Sequence, residues 1–243
     1  MPKVTEQTPP YCQFIRGSTN RFGLGIDLVN AQKAGFGDNP LRQKTTHEFG
    51  SGREEEIYLS RSPRMLVLNR SQAMMSDNGR DLYIYDREHC RGYRAFSYWV
   101  VWFVDAQNRP LSRFPFRLKC TGYQGTSLQK LYDYPNETDT FSQRIVEVYQ
   151  RRAKNPQLKD PQRFLAHAVY QPNLVREMKG SRQDPQRKSM TVITKDYLVP
   201  TVENFADFIV KNGSLESQFI DKFITETKPW LRESAIKPLE VAG

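Results

Sequence analysis

Between residues 112 and 121, Phe114, Phe116, Leu118 and Cys120 alternate with Arg113, Pro115, Arg117, Lys119 and Thr121. Successive side chains of a β-strand point to opposite faces, so this spacing predicts one face in a core and three cations on the other. Residues 81–86 repeat the idea: Leu82 and Ile84 share one face, while Tyr83 and Tyr85 share the other and Arg87 follows in phase. Arg61, Arg64 and Arg70 surround a preceding strand, Arg91, Tyr93 and Arg94 lead into the next, and Tyr123 closes the series. A sheet face of Tyr, Arg and Lys suits single-stranded nucleic acid, because the cations neutralise phosphates and the rings stack on any base. The arginine fork adds bidentate contacts to phosphate that a lysine point charge lacks.

Other chemistries find less support. His89-Cys90, with Asp86 and Glu88 beside it, resembles a metal-ligand cluster, but adjacent ligands with no second His/Cys pair make a poor tetrahedral site. With three His (His47, His89, His167) and no G-x-S-x-G turn, a hydrolase triad lacks its usual setting. The Glu226-x-Lys228 pair falls at a helix end rather than on a strand. Glu54, Glu55 and Glu56 are read as the charged protection of a hairpin edge, and no phosphate-binding glycine pattern occurs. No catalytic residue, cofactor or metal is therefore expected.

The elements that must position the basic face read as follows. Residues 1–20 are expected to form a flexible arm, followed by a single α+β domain over 21–243. A strand at 22–26 leads into a helix capped by Asp27 and stopped at Gly35. The β-rich part, 45–121, holds strands at 45–49, 55–60, 65–69, 81–86, 94–104 and 112–121, with turns at 50–52 and 76–79. Trp99, Trp102 and Phe103 lie in a run apolar on both faces and are assigned to the core. A helical insertion spans 127–153, its second helix starting at Phe141 behind Thr138 or Thr140. Strands at 164–171 and 189–199 and helices at 202–211 and 214–227 complete the chain. The hairpin-rich order predicts an OB-like, largely antiparallel sheet or small barrel with inserted and C-terminal helices, because no strand–helix alternation is present.

Composition agrees with a folded chain. Of 243 residues 38% are hydrophobic and 12% aromatic, above what disordered segments carry. No apolar run is long enough to span a membrane, the N-terminus lacks an apolar leader, and three scattered cysteines make no disulfide framework. A cytoplasmic protein without a membrane partner is expected. The formal charge is +9, and residues 61–130 alone hold 12 basic against five acidic side chains, ten of the 12 being Arg. That local excess points to an anionic partner.

At residues 47–71 (HEFGSGREEEIYLSRSPRMLVLNRS) and 108–125 (NRPLSRFPFRLKCTGYQG) the chain resembles a family of uncharacterised cyanobacterial proteins known as a domain of unknown function. The likeness extends to FLAHAVYQPNL (164–174) and YLVPTVENFADFIV (197–210). It implies organism type and single-domain extent, and it supplies no catalytic residues. The plan of a basic sheet with helices is also similar to that of phage and plasmid single-stranded DNA-binding proteins, a fold-level analogy. Many of those end in an acidic tail, whereas this chain ends in SAIKPLEVAG.

The expected function is non-enzymatic binding of single-stranded nucleic acid, DNA favoured, through Arg61, Arg64, Tyr83, Tyr85, Arg87, Arg91, Tyr93, Arg94, Arg113, Arg117, Lys119 and Tyr123. The first rival is a structural subunit that forms a homo-oligomer or joins a larger complex. The second is a metal-dependent nuclease using Asp81, Asp86 and the glutamates.

Overall fold

The computed structural model describes residues 9–17, 20–36, 43–48, 54–134, 137–154, 157–180, 186 and 188–238. The turn expected at 50–52 lies outside them. The elements are β1 (Tyr11–Arg16), β2 (Phe22–Asp27), α1 (Leu28–Ala34), β3 (Gln43–Glu48), β4 (Glu54–Ser60), β5 (Met65–Arg70), β6 (Met74–Ser76), β7 (Leu82–Ile84), β8 (Arg94–Phe103) and β9 (Phe116–Thr121). They continue with α2 (Gly122–Tyr132), α3 (Phe141–Arg152), α4 (Pro161–Ala166), β10 (Val169–Tyr170), β11 (Pro172–Gly180), β12 (Lys188–Tyr197), α5 (Leu215–Glu226) and β13 (Ile236–Lys237).

The chain is α+β, built on an 11-stranded sheet in the order β13-β7-β6-β8-β9-β1-β2-β4-β3, with β5 between β8 and β10 and a separate β11–β12 ribbon. All ladders are antiparallel except β1 with β9 and β13 with β7. Among the described residues the path is open, so the small-barrel alternative gives way to an open sheet.

Local chemistry explains the best-formed helices. Asp27 accepts a hydrogen bond from the Asn30 backbone N–H at 2.8 Å, and Gly35 closes α1 at φ 62°, a left-handed position that glycine occupies without strain. Thr140 and Gln143 form a reciprocal capping box at the start of α3, which buries Phe141, Ile145 and Val148 along one stripe. Ser214 caps α5 by accepting from the Ser217 backbone N–H, and α5 buries Ile220 and Phe223.

Central strand β8 is buried on both faces. Trp99, Val101 and Phe103 enter one core with Phe116, Leu118, Cys120, Tyr132, Phe141 and Tyr170. Phe96, Tyr98, Val100 and Trp102 enter a second core with Ile220, Phe223, Trp230 and Leu231. Thus α2 and α3 cover one side, while α5 and the 3-10 turn Lys228–Leu231 cover the other. Trp102 meets Phe223 edge-on at 5.0 Å, and its indole N–H donates to the Ser112 carbonyl at 3.0 Å, so a ring buried on the second side keeps its polar atom satisfied.

Several expectations are corrected. The arm expected over 1–20 contains β1, an internal strand held by β2 and β9. Residues 164–171 are not one strand: Asp160 caps α4 and Pro161 occupies its first turn, so the chain is helical to Ala166 before β10. The helix expected at 202–211 shortens to a 3-10 turn at Phe205–Phe208, because Ile209 bridges Ala168 and the Val210 N–H donates to the His167 carbonyl. The strand expected at 112–121 starts at Phe116, and the one expected at 81–86 shrinks to β7. Among the described residues no helix is long and apolar enough to cross a membrane.

Candidate nucleic-acid interface

Register decides which of the basic and aromatic residues share a face, since directly paired residues project to the same side of a sheet. Along the ladders Tyr98 pairs with Lys119, Val100 with Arg117, and Phe96 with both Thr121 and Met74. Arg94, Phe96, Tyr98 and Val100 alternate in phase along β8, so Arg94, Lys119 and Arg117 stand on the α5 side. Met74 pairs with Ile84, whereas Met75 pairs with Tyr83 and Ala95. Tyr83 therefore lies on the opposite face, where Tyr93 meets it edge-on at 5.7 Å. The shared Tyr/Arg/Lys face that strand phase predicts is divided between two sides of the sheet.

The α5-side strip is built on rings. The Arg117 guanidinium lies 4.9 Å from the Tyr98 centroid, and Lys119 Nζ lies 4.1 Å from Phe96 and 5.9 Å from Tyr98. These cation–π contacts hold both charges over an aromatic floor. They also cover it: Phe96 and Tyr98 are buried, so neither is a free platform for a base. The accessible ring here is Tyr11 in β1, directly paired with Arg117 and 45% exposed. Burial lowers the pKa of Arg117; Tyr98 opposes that shift, and Arg232, standing nearby with the same charge, adds to it.

Side-chain partners sort the cations sharply. Among the described residues, Arg94, Arg117, Lys119 and Arg232 make no ion pair and donate no side-chain hydrogen bond. Arg64 is the opposite case. It donates to the carbonyls of Asp105 and Asp207 and to the side-chain oxygens of Gln171 and Asn108, at 2.6–3.2 Å, so its fork ties four segments together. Arg61 sits over Phe22 at 4.6 Å and donates to the Asn20 carbonyl. Arg70, over Trp99 and Tyr132, is paired with Asp133. Arg113 stacks on Phe114 at 5.3 Å in the bend before β9. Arg87 and Arg91 are exposed in the turn before β8, Tyr85 is half-buried beyond β7, and Tyr123 is exposed in the first turn of α2.

Two members of the strip escape sequence reasoning. Tyr11 lies in the segment read as an arm, and Arg232 follows a C-terminal 3-10 turn whose place on the sheet has no local signal. The nuclease residues do not assemble: β7 and β4 have five strands between them, roughly 30 Å at the usual strand spacing. Asp81 is engaged by Lys237 and Asn78, and Asp86 by His89.

A serine–histidine–aspartate grouping also occurs. Ser217 Oγ lies 3.2 Å from His167 Nε2, His167 Nδ1 donates to the Arg163 carbonyl at 2.8 Å, and Asp221 is 3.7 Å from Nε2 while pairing with Arg163. Ser217 is 2% exposed and points into the joint between α4 and α5, so this grouping fastens the helix that roofs the second core.

No curated protein and no solved structure matches the chain. Over residues 6–239 it matches the family described as DUF5895, a domain of unknown function, and the chain belongs to that family.

Proposed function

We propose that the protein binds single-stranded nucleic acid, without chemistry on it, through the α5-side strip of Arg94, Lys119 and Arg117 with Tyr11 beside them. The observation that carries this reading is the row of cations on adjacent strands, none satisfied by a protein acceptor among the described residues. Same-face positions along a strand are about 7 Å apart, so the row offers charges at repeated intervals to a backbone laid along it. Phosphate neutralisation supplies the affinity, and the exposed Tyr11 ring supplies a stacking surface indifferent to base identity. DNA is favoured over RNA by the analogy of plan to phage and plasmid single-stranded DNA-binding proteins. The reading needs an open basic face rather than an OB barrel.

The test is fluorescence anisotropy with a labelled oligothymidine for wild type, Arg94→Glu/Lys119→Glu and Tyr11→Ala. Arg94 and Lys119 are exposed, so the double variant should keep its melting temperature while losing at least tenfold in affinity. Absence of binding by wild type at 50 mM salt, or wild-type affinity in the double variant, refutes the reading.

A self-assembling subunit is the second reading, favoured by β3, which ends the ladder path with no further strand among the described residues. Light scattering without nucleic acid separates the two: a salt-sensitive oligomer that ignores oligonucleotides supports the assembly role.

A further inference from the structure

Strands β1 and β9 run parallel, pairing Tyr11 with Arg117 and Cys12 with Leu118, so both deliver their C-terminal ends to the same end of the sheet. The chain leaves β9 through Gly122, at φ 51°, and enters α2 directly. Gly125 lets that helix press onto the strand it has just left, since a Cβ there would stand 2.6 Å from the Cys120 carbonyl carbon. The first turn of α2 therefore sits at the C-terminal ends of two neighbouring strands. Its leading N–H groups have no partner within the helix, and with the helix dipole they favour an anion.

The side chains of that turn do not supply one. Thr121 makes no capping hydrogen bond, and the first turn holds no acid. Two donors gather there instead. Arg16, exposed at the end of β1, donates to Gln124 Oε1 at 3.3 Å, and among the described residues it makes no ion pair. Gln124 is 4% exposed, and its Nε2 is buried with no acceptor. Leaving an amide donor unpaired on burial is costly. Reversing the carboxamide gives no relief, because it would set donor against donor at Arg16. The carboxamide lies between the turn that carries it and the Arg16 fork, so the acceptor it lacks belongs in the same corner as the anion that the turn favours.

We propose that Arg16, Gln124 and the first turn of α2 seat a phosphate monoester carried by a nucleotide, either the terminal phosphate of a strand or a free mononucleotide. The guanidinium fork, the buried amide and the helix N–H groups outnumber the two free oxygens of a phosphodiester, whereas a monoester offers three and a charge of about −1.5 to −2 at neutral pH. Tyr123, 47% exposed in the same turn, supplies a ring for the adjoining base. A strand laid over Arg117 and Lys119 leads along β9 to this turn. The strand as source rests on the nucleic-acid reading, while the seat stands on the geometry of the corner.

The test uses the full chain as wild type, Gln124→Glu and Arg16→Gln. Glutamate at 124 pairs with Arg16 and suits a helix N-terminus, so a purely structural role for Gln124 predicts a neutral or stabilising change. A phosphate seat predicts that the new carboxylate repels its ligand. Wild type should bind oligothymidine carrying a phosphate at each end at least about tenfold more tightly than the same oligomer with hydroxyl ends, and thymidine monophosphate more tightly than thymidine by a similar factor. Both preferences should vanish in both variants, while binding of the hydroxyl-ended oligomer stays within about twofold of wild type. Arg16→Gln, at an exposed position, carries the same test if glutamate at 124 unfolds the chain. No preference for phosphate in wild type, or a preference that survives the variants, overturns the seat, and binding of the hydroxyl-ended oligomer then leaves the strand reading standing. A preference for thymidine monophosphate that the variants abolish, with neither oligomer bound, supports the seat and overturns the strand as its source.

Discussion

If a strand lies on the α5 side, the salt dependence of its binding is set by the cations available there. Arg94, Lys119, Arg117 and Arg232 are four such groups. Each phosphate neutralised on a single strand contributes about −0.7 to the slope of log affinity against log salt, so four contacts give a slope near −2.8. Between 50 and 200 mM salt that amounts to about a 50-fold loss of affinity. The Arg94→Glu/Lys119→Glu variant retains two of the contacts, and its slope should flatten to about −1.4, with only about a sevenfold loss over the same range. Anisotropy titrations of oligothymidine at five or six salt concentrations measure both slopes. Unchanged slope in the variant means the strand lies elsewhere, and a wild-type slope near zero means that phosphate neutralisation is not the source of affinity. A slope steeper than about −5 means that contacts beyond this strip dominate.

Two further outcomes separate fold from site. Arg64→Ala strips a donor from four acceptors and should cost about 3 kcal/mol in denaturant unfolding while the folded fraction binds oligonucleotide as wild type does; a pure affinity loss with unchanged stability refutes the clamp. Burial pushes Tyr132 and Tyr197 up to about 12 and Tyr170 well above the usual range, so at pH 11 at least these three of the 12 tyrosines should stay largely protonated in the native protein. Because the folded values are raised, this contribution to stability is complete below about pH 10 and is lost as pH rises through them. A 295 nm titration that reaches the full tyrosine signal at pH 11 with native circular dichroism contradicts the burial.

Where structure depends on neighbours in sequence, it was legible. Asp27, Gly35, Thr140 and Ser214 announce helix ends through their own side chains or backbone freedom, and all four act there. The alternation at Phe116, Leu118 and Cys120 correctly marks which side of β9 meets a core. What the sequence does not carry is the phase of one strand relative to another. Strand phase puts Tyr83 and Arg117 on one face because each pattern is clear alone, but their relation runs through β6 and β8, and β6 is a three-residue strand with little pattern of its own. The covering of the α5 side is equally nonlocal: Trp230 and Phe223 reach Trp102 and Tyr98 from the far end of the chain. The same distance explains why Arg232 could not be joined to Arg117 by inspection. In α4, by contrast, a local signal was present and outweighed: Asp160-Pro161 starts a helix, while the aliphatic residues after it suggest a strand.

The parallel pairing of Tyr11 with Arg117 has a consequence for synthesis. As the chain leaves the ribosome, β1 can close a hairpin with β2 at once, but its other edge has no partner until β9 has emerged, and β8 remains uncovered on the α5 side until the last helix follows. Pairings so distant in sequence close slowly and leave strand edges open meanwhile. A nascent chain stalled between Thr121 and Leu215 would present β8 uncovered on the α5 side, so chaperone dependence should last through the second half of translation, until α5 emerges.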